Sequence, residues 1–202
     1  PFKRRNETKK IKAHGYSSFY EKKFEILKNK KINILEIGSF YGNASAALYF
    51  YFKNAKIFGA DINPDMFKYA SKRINNFYVD SGSRESIIKN ILEKKNSYKI
   101  IIEDASHVLK DQIISLFILF KILAPGGIFI IEEIDFPEKR EDMRINQSPP
   151  NLKQILNSVL IGQDFNSEYI KKEEKEYFLN HFDNIEFYKG NFNEMVIITK
   201  KS

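Results

Sequence analysis

Apolar positions along the chain fall into short runs typical of β-strands, and these runs alternate with longer stretches in which apolar residues recur at helical spacing. The short runs predict five buried strands, each leading into a helical segment. Alternation of this kind is typical of a parallel sheet covered by helices on both faces. The predicted strands are 32–37, 56–60, 76–79, 98–103 and 128–131.

The helical segments lie before, between and after these strands. Pro64 suits the first turn of a helix, where its missing N–H has no intrahelical partner, and the Ala-Pro-Gly-Gly sequence at 124–127 is typical of a helix end. On the first helix, Phe19, Phe24 and Leu27 are expected to face the core. The predicted helices are 17–28, 44–52, a helix that begins near Pro64, 84–94, 107–123, 152–160 and 167–182.

The end of the chain departs from this alternation. The apolar runs 185–188 and 195–198, joined through Gly190-Asn191, predict a β-hairpin, and the polar segment 136–151 is interpreted as an active-site loop. The strands and the hairpin together predict an α/β fold, namely a Rossmann-like sheet of seven strands with a C-terminal antiparallel hairpin. Because neither an internal repeat nor a linker is visible, residues 1–202 are expected to form a single domain.

The composition narrows the class of protein. With 202 residues and 43% hydrophobic content, the chain can bury a substantial core. The absence of cysteine excludes disulfides, thiolate metal sites and cysteine nucleophiles. No apolar stretch reaches the roughly 18 residues of a membrane helix, and no apolar leader is visible near the start. A cytoplasmic enzyme without a membrane partner is therefore expected.

The formal net charge of +7 bears on the partner, and six of the first twelve residues are Lys or Arg. A solvated basic surface is the simplest interpretation. An anionic small molecule such as a nucleotide-linked sugar is the next, and nucleic acid is the third. No RNA-binding signature supports nucleic acid, so a small-molecule partner is expected, and the pattern leaves a homo-oligomer open.

The first strand ends in an acidic residue and a glycine turn, Glu36-Ile37-Gly38-Ser39-Phe40-Tyr41-Gly42. Glycine lets a bare backbone approach a ligand at the start of a helix. A dinucleotide site usually has Gly-x-Gly-x-x-Gly, but here its middle glycine is replaced by Phe40, so a pyrophosphate would fit badly. The Glu-x-Gly-x-x-x-Gly spacing instead suits S-adenosylmethionine, a cofactor with an adenosine and an amino-acid tail.

Acidic residues follow the later strands at the same predicted edge of the sheet. Asp61 lies 23 residues after Gly38, close to the roughly 20 expected of an acid that holds ribose hydroxyls. Asp80 is expected near the adenine. The alternative for each acid alone is a helix cap or a solvated loop residue. The predicted cofactor-binding residues are Glu36, Gly38, Ser39, Tyr41, Gly42, Ser45, Asp61, Ile62, Asp80, Ser81, Glu103 and Asp104.

A second group of polar residues combines Asp104, His107 and the pair Glu132-Glu133. Strands four and five should be neighbours about 4.8 Å apart, so these side chains can converge. Three carboxylates favour Mg²⁺, Mn²⁺ or Ca²⁺ over zinc. His107 suits a general base, because imidazole ordinarily titrates near pH 6.5. The alternative is that Asp104 or Ser106 only caps the following helix and that His107 is a surface residue of its first turn.

Several of these segments resemble the class I methyltransferases of the macrocin O-methyltransferase type, over roughly residues 6–135. The resemblance rests on Leu35–Gly38, Gly59–Ile62, Asp104–His107, Leu123–Gly127 and Ile131–Glu133. It implies a class I methyltransferase sheet, S-adenosylmethionine, a divalent metal (Mg²⁺ or Mn²⁺) and methylation of sugar hydroxyls.

The resemblance also implies roles for individual residues. Asp104, Glu132 and Glu133 would be metal ligands, and His107 would be the base. The predicted catalytic residues are thus His107 and Asp104. The family commonly has Glu-Asp where this chain has Glu132-Glu133, which makes the second ligand one methylene longer. The stretch from Thr8 to Tyr16 resembles a family segment that folds over the active site, so residues 1–30 are expected to cover the substrate and cofactor. The predicted substrate contacts are Thr8, Lys9, His14 and Tyr16.

These observations predict an S-adenosylmethionine-dependent O-methyltransferase that acts on a sugar hydroxyl. A nucleotide-linked sugar, used for surface polysaccharide such as capsule or for natural-product glycosylation, fits the basic balance. Lys9, Lys10 or Lys12 could approach its phosphates. The alternatives are a hydroxylase-like relative with the same fold, a non-catalytic cofactor-binding protein, and a methyltransferase for a non-sugar small molecule.

Overall fold

The computed structural model describes residues 15–202, so the predictions for Thr8, Lys9, Lys10, Lys12 and His14 lie outside the described residues. A seven-stranded sheet with the order β3-β2-β1-β4-β5-β7-β6 forms its centre. The first five strands are parallel, and β7 runs antiparallel between β5 and β6. This confirms the predicted Rossmann-like sheet with a C-terminal hairpin. The strands are β1 (Asn33–Ile37), β2 (Lys56–Asp61), β3 (Ile74–Tyr78), β4 (Tyr98–Glu103), β5 (Leu123–Ile131), β6 (Phe182–Lys189) and β7 (Glu194–Lys200).

Helices cover both faces of this sheet. Short 3₁₀ turns extend several of them, at Glu25–Leu27, Leu92–Lys94 and Phe120–Ile122. No helix in the described part of the chain is long and apolar enough to cross a membrane. The helices are α1 (Ser17–Phe24), α2 (Asn43–Tyr51), α3 (Arg84–Asn90), α4 (Leu109–Leu119), α5 (Phe136–Lys139), α6 (Leu152–Leu160) and α7 (Lys172–His181).

Two apolar cores form because alternate strand residues point to opposite faces. Leu35 belongs to the core beneath α4, whereas Ile34 belongs to the core beneath α1 and α2. Phe24 of α1 is buried in the second core, as predicted, and Phe19 and Leu27 pack against it. Because β1, β2, β4 and β5 pair in parallel, their carboxyl ends lie at the same edge of the sheet.

The prediction of a helix that begins near Pro64 is wrong, because only a 3₁₀ turn forms there, at Pro64–Met66. The backbone N–H of Lys68 then donates to the carbonyl of Tyr41 at 3.2 Å, and the Phe67 ring lies against Gly42. These contacts with the glycine turn keep the segment extended. β3 begins at Ile74, two residues earlier than predicted.

Other boundaries also differ from the predictions. The helix predicted from residue 107 begins at Leu109, since His107 has a left-handed backbone (φ 58°) and Val108 is extended. β5 begins at Leu123 and not at residue 128, so the Gly126-Gly127 pair lies inside the strand. The helix predicted over 167–182 is limited to Lys172–His181, and the predicted loop 136–151 contains the single turn of α5.

Candidate active site

The glycine turn after β1 lies directly against the end of β4. Gly38 has a φ of +85°, a conformation in which side chains are disfavoured. A Cβ atom added to Gly38 would lie 2.1 Å from the backbone oxygen of Asp104 and 2.6 Å from the Cα of Ala105. Only glycine therefore allows the predicted cofactor turn to touch the segment that carries Asp104.

Asp61, at the end of β2, is tied to the same turn. Its Oδ2 accepts from the backbone N–H of Phe40 at 2.7 Å, and its Oδ1 accepts from that of Asn63 at 2.8 Å. Each carboxylate oxygen has a second lone pair, so both can still accept from a ribose hydroxyl. The neighbouring Ile62 is exposed, and Tyr41 lies within the turn. The predicted ribose acid is thus held beside the glycine turn.

The other predicted cofactor residues lie along the same edge. Ser45, in the first turn of α2, donates from its hydroxyl to the buried Glu36 carboxylate and so fixes the helix start against β1. Ser39 is also buried. After β3, Asp80 accepts from the backbone N–H of Gly82 at 2.9 Å, which shapes the turn that contains Ser81.

Beyond β4 and β5, the structure brings together Asp104, His107 and Glu133. The His107 Nε2 lies 3.9 Å from Asp104 Oδ1 and 3.8 Å from Glu133 Oε2. One donor atom from each residue lies within 4.8 Å of the others, close enough to share a metal ion. The convergence follows from the pairing of Glu103 with Ile131, which aligns the ends of the two strands.

The backbone at this cluster is strained. His107 and Glu133 both have left-handed φ values, 58° and 51°. Such conformations cost about 1–3 kcal/mol each and concentrate at functional sites. Gln112 of α4 helps to hold the second of them, because its Nε2 donates to the Glu133 carbonyl at 3.2 Å.

Glu132 lies beside this cluster and not within the group of three. The Tyr20 hydroxyl of α1 donates to Glu132 Oε1. Burial, and then the charge of Glu132, raise the pKa of Tyr20 well above its ordinary value, so it remains a neutral donor. Metal ligation by Glu132 therefore stays a prediction, while the structure assigns this carboxylate a partner from the N-terminal helix.

Tyr16 is fully buried next to the same acids. Burial, followed by the charges of Glu133 and Glu132, raises the pKa of its hydroxyl. Tyr16 was predicted to contact substrate, and in the structure it forms part of the inner wall of the site. Tyr20, one helical turn later, was missed, although the spacing of four residues places both tyrosines on one side of the chain.

Glu103 adds a buried carboxyl group behind Asp104. It is fully buried, its Oε1 accepts from the backbone N–H of Ala105 at 3.3 Å, and its Oε2 has no hydrogen-bond partner among the described residues. Burial, and then the charge of Asp104, raise the pKa of Glu103 to about 8. Glu103 is therefore largely protonated at neutral pH, which limits the repulsion between its carboxyl group and the Asp104 carboxylate.

The donor set fits a divalent cation. Asp104 and Glu133 supply hard carboxylate oxygens, as Mg²⁺ and Mn²⁺ prefer, and the His107 ring lies beside them.

The capping alternative has little support in the geometry. Val108 is the N-cap of α4, and its side chain makes no capping hydrogen bond. Ser106 donates to Asp111 at 2.7 Å and accepts from the N–H of Val108 at 3.2 Å, which orders the loop. The His107 ring is largely covered and lies 5.1 Å from the ring of Phe136, the first residue of α5.

A model of the family described as "Methyltransferase domain" matches residues 28–159. One curated relative is the 8-demethyl-8-alpha-L-rhamnosyl tetracenomycin-C 2'-O-methyltransferase of Streptomyces olivaceus, with 24% identity over 64% of this chain and 36% of the relative. Another is the demethylmacrocin O-methyltransferase of Streptomyces fradiae, with 25% identity over 60% of this chain and 32% of the relative. The chain therefore spans about a third of the length of these relatives.

The fold is shared with a solved structure, that of MycE, a methyltransferase from the mycinamycin biosynthetic pathway in complex with Mg, S-adenosylhomocysteine (SAH) and mycinamycin VI. The TM-score is 0.73 at 20% identity, over 94% of this chain and 50% of MycE. This confirms the predicted class I methyltransferase sheet.

Proposed function

Since the chain belongs to the methyltransferase domain family, we propose that it transfers a methyl group from S-adenosylmethionine to a sugar hydroxyl. One observation carries this proposal, namely the contact between Gly38 and the backbone of Asp104. It joins the cofactor turn to the cluster of Asp104, His107 and Glu133, so a methyl donor on the turn would lie beside groups that can activate a hydroxyl. The name of the Streptomyces olivaceus relative, an O-methyltransferase of a rhamnosyl tetracenomycin, supports the acceptor class.

The carboxyl edge of the sheet offers one partner for each part of the cofactor. Asp61 would accept from the ribose diol, Asp80 would lie near the adenine, and the Gly38–Gly42 turn would leave room for the amino-acid tail. Glu36 acts indirectly, since its bond with Ser45 sets the position of α2 at the end of this turn.

Asp104 and Glu133 would hold a divalent cation, with Glu132 as the third predicted ligand. A cation bound there would lower the pKa of the acceptor hydroxyl. His107 then accepts the hydroxyl proton, and the carboxylates of Asp104 and Glu133, within 4 Å of Nε2, stabilise the resulting imidazolium.

The transfer itself is an in-line displacement. The sugar oxygen forms a bond to the methyl carbon as the bond from that carbon to sulfur breaks, which leaves S-adenosylhomocysteine and a proton on His107. The sulfonium is already a good leaving group, so the chain mainly supplies alignment, which can provide roughly 7–11 kcal/mol of the rate advantage.

The acceptor is proposed to be a nucleotide-linked sugar, in line with the basic balance of the chain. The Streptomyces olivaceus relative is instead named for a sugar already attached to tetracenomycin. An assay should therefore present nucleotide-linked sugars, glycosides and a catechol in parallel, with S-adenosylmethionine, and read a mass gain of about 14 Da per methyl group. Transfer to the catechol alone would replace the sugar by a non-sugar acceptor, and cofactor binding without any transfer would favour a hydroxylase-like or non-catalytic protein.

Variants separate the base from the metal. His107→Gln should lower turnover by about 10²–10⁴-fold, because general base catalysis contributes that much, while the affinity for S-adenosylmethionine stays within a few-fold. Lys89→Gln, on the exposed side of α3, is the matched control and should leave turnover unchanged. Full activity in His107→Gln would exclude it as the base, and activity that survives exhaustive chelation would exclude the metal.

A further inference from the structure

A basic cleft lies at the edge of the sheet opposite the candidate active site. We propose that this amino-end cleft, lined by Lys31, Lys53, Lys56, Arg73 and Lys99, binds a multivalent phosphate anion. Its volume is about 800 Å³, within the range of ligand sites. Neither Asp nor Glu is among the residues that line it.

The cleft concentrates charge that the rest of the described chain lacks. Six of the 33 basic residues and one of the 26 acidic residues precede Gly15, which leaves 27 basic and 25 acidic residues in the described part. Five of those 27 cations line one cleft. The described part of the chain is thus nearly neutral overall. Positive charges that line a concave cleft concentrate the positive potential there, and this attracts anions.

Arg73 provides a fixed charge in the wall of this cleft. Its Nη1 donates to the carbonyls of Phe52 at 2.9 Å and Ala55 at 2.8 Å, and its Nη2 donates to the carbonyl of Tyr49 at 3.1 Å. Its guanidinium also stacks on the Tyr49 ring at 3.9 Å. No carboxylate among the described residues pairs with it, so its position is set while its charge stays uncompensated by an acid.

The lysines supply donors around this fixed charge. Lys31, Lys53 and Lys56 are exposed, and within residues 15–202 no ion pair or side-chain hydrogen bond occupies their ammonium groups. The Nζ of Lys99 donates to the Pro125 carbonyl at 2.7 Å, which orients it and leaves two N–H groups for a ligand. Ammonium groups grouped in this way are typical partners of phosphate oxygens.

The lining also distinguishes between phosphate ligands. No aromatic side chain is among the described residues that line the cleft, so a nucleobase would find no aromatic ring there on which to stack. A compact polyphosphate or diphosphate therefore fits better than single-stranded nucleic acid, whose affinity depends on such stacking.

The cleft is separate from the methyl-transfer site. It lies at the amino ends of β1, β2 and β4, near Asn33, Lys56 and Lys99, whereas the glycine turn follows Ile37 at the other end of β1. A five-residue strand at about 3.3 Å per residue separates the two edges by about 15 Å. The inference therefore goes beyond the proposed function and does not depend on it.

Titration calorimetry of the full chain with inorganic tripolyphosphate tests this proposal. The triple variant Lys31→Gln, Lys53→Gln, Lys56→Gln should bind about 8- to 27-fold more weakly, since each exposed charge pair contributes about two- to threefold in affinity. The matched control Lys89→Gln, Lys94→Gln, Lys172→Gln removes the same charge elsewhere and should stay within twofold. All variants keep the basic residues before Gly15, so any anion binding by that segment is common to them.

Amide chemical-shift mapping on the unmodified chain locates the ligand without any variant. Tripolyphosphate should shift Asn33, Ser97 and Lys99, and leave Gly38 and Asp104 unmoved. Equal weakening in the triple variant and its control, or shifts at the active-site edge, would overturn the proposal. Tighter binding of a single-stranded oligonucleotide with the same number of phosphates would overturn it in favour of nucleic acid.

Discussion

Replacing Gly38 by alanine tests the contact that joins the cofactor turn to the acid cluster. Alanine at φ +85° suffers the ordinary penalty of a left-handed backbone, about 1–2 kcal/mol. Its Cβ would also meet the Asp104 backbone oxygen at 2.1 Å, and backbone atoms cannot rotate away as a flexible side chain can. Overpacking of this kind costs about 1–3 kcal/mol more.

Gly162 supplies the matched control. It has a similar φ of +68°, but a Cβ added there would meet nothing within 4 Å. Gly162→Ala should therefore carry the backbone penalty alone. The free energy of unfolding of Gly38→Ala should be lower than that of Gly162→Ala by about 2 kcal/mol, equivalent to a Tm difference of roughly 4–8 °C for a domain of this size.

Urea unfolding followed by circular dichroism measures both variants, and calorimetry gives their affinities for S-adenosylmethionine. Gly38→Ala should also lose cofactor affinity, whereas Gly162→Ala should keep it. Equal destabilisation in the two variants would refute the close approach of Gly38 to Asp104, and unchanged cofactor affinity in Gly38→Ala would remove the turn from the cofactor site.

Three further changes test the buried polar groups. Ser45→Ala removes the hydroxyl that donates to the buried Glu36 carboxylate. The free energy of unfolding measured in urea titrations should fall by about 1–3 kcal/mol. A loss below about 0.5 kcal/mol would argue against this hydrogen bond. Lys200→Met removes the ammonium group that donates to three backbone carbonyls and to the Tyr177 hydroxyl. It should lower the free energy of unfolding by about 2–3 kcal/mol without changing cofactor affinity. A thermal melt like that of the wild type would contradict this. Because the pKa of Glu103 is raised to about 8 from 4.5, the folded state binds the extra proton between these pH values. Stability of the metal-free protein should therefore fall as pH rises through that window, by up to about 1.4 kcal/mol per pH unit, and Glu103→Gln should flatten the slope in thermal melts.

The sheet could be predicted from the sequence because its strands are short apolar runs with clear ends. The predicted span of β4 matches the structure at both ends, and so does that of α6. The segment after Pro64 was mispredicted, because its conformation depends on contacts with the distant Tyr41 and Gly42 that no local pattern encodes.

The candidate site was only partly predictable for the same reason. Acids at successive strand ends must share an edge, so the approach of Asp104 to Glu133 follows from the strand order. The left-handed backbone of His107, which places its ring between these acids and not on a helix, is a tertiary effect. The bond from Tyr20 to Glu132 joins residues 112 positions apart, and an isolated tyrosine on a helix gives no signal of it.

Methyl transfer from S-adenosylmethionine labelled with ¹³C in its methyl group, followed by NMR of the acceptor, tests the central claim most directly. The label should appear as an O-methyl group on a sugar carbon, and the signal should be lost in Asp104→Asn while that variant still binds the cofactor. A label on a non-sugar atom, or cofactor binding with no transfer to any sugar offered, would contradict the proposed function.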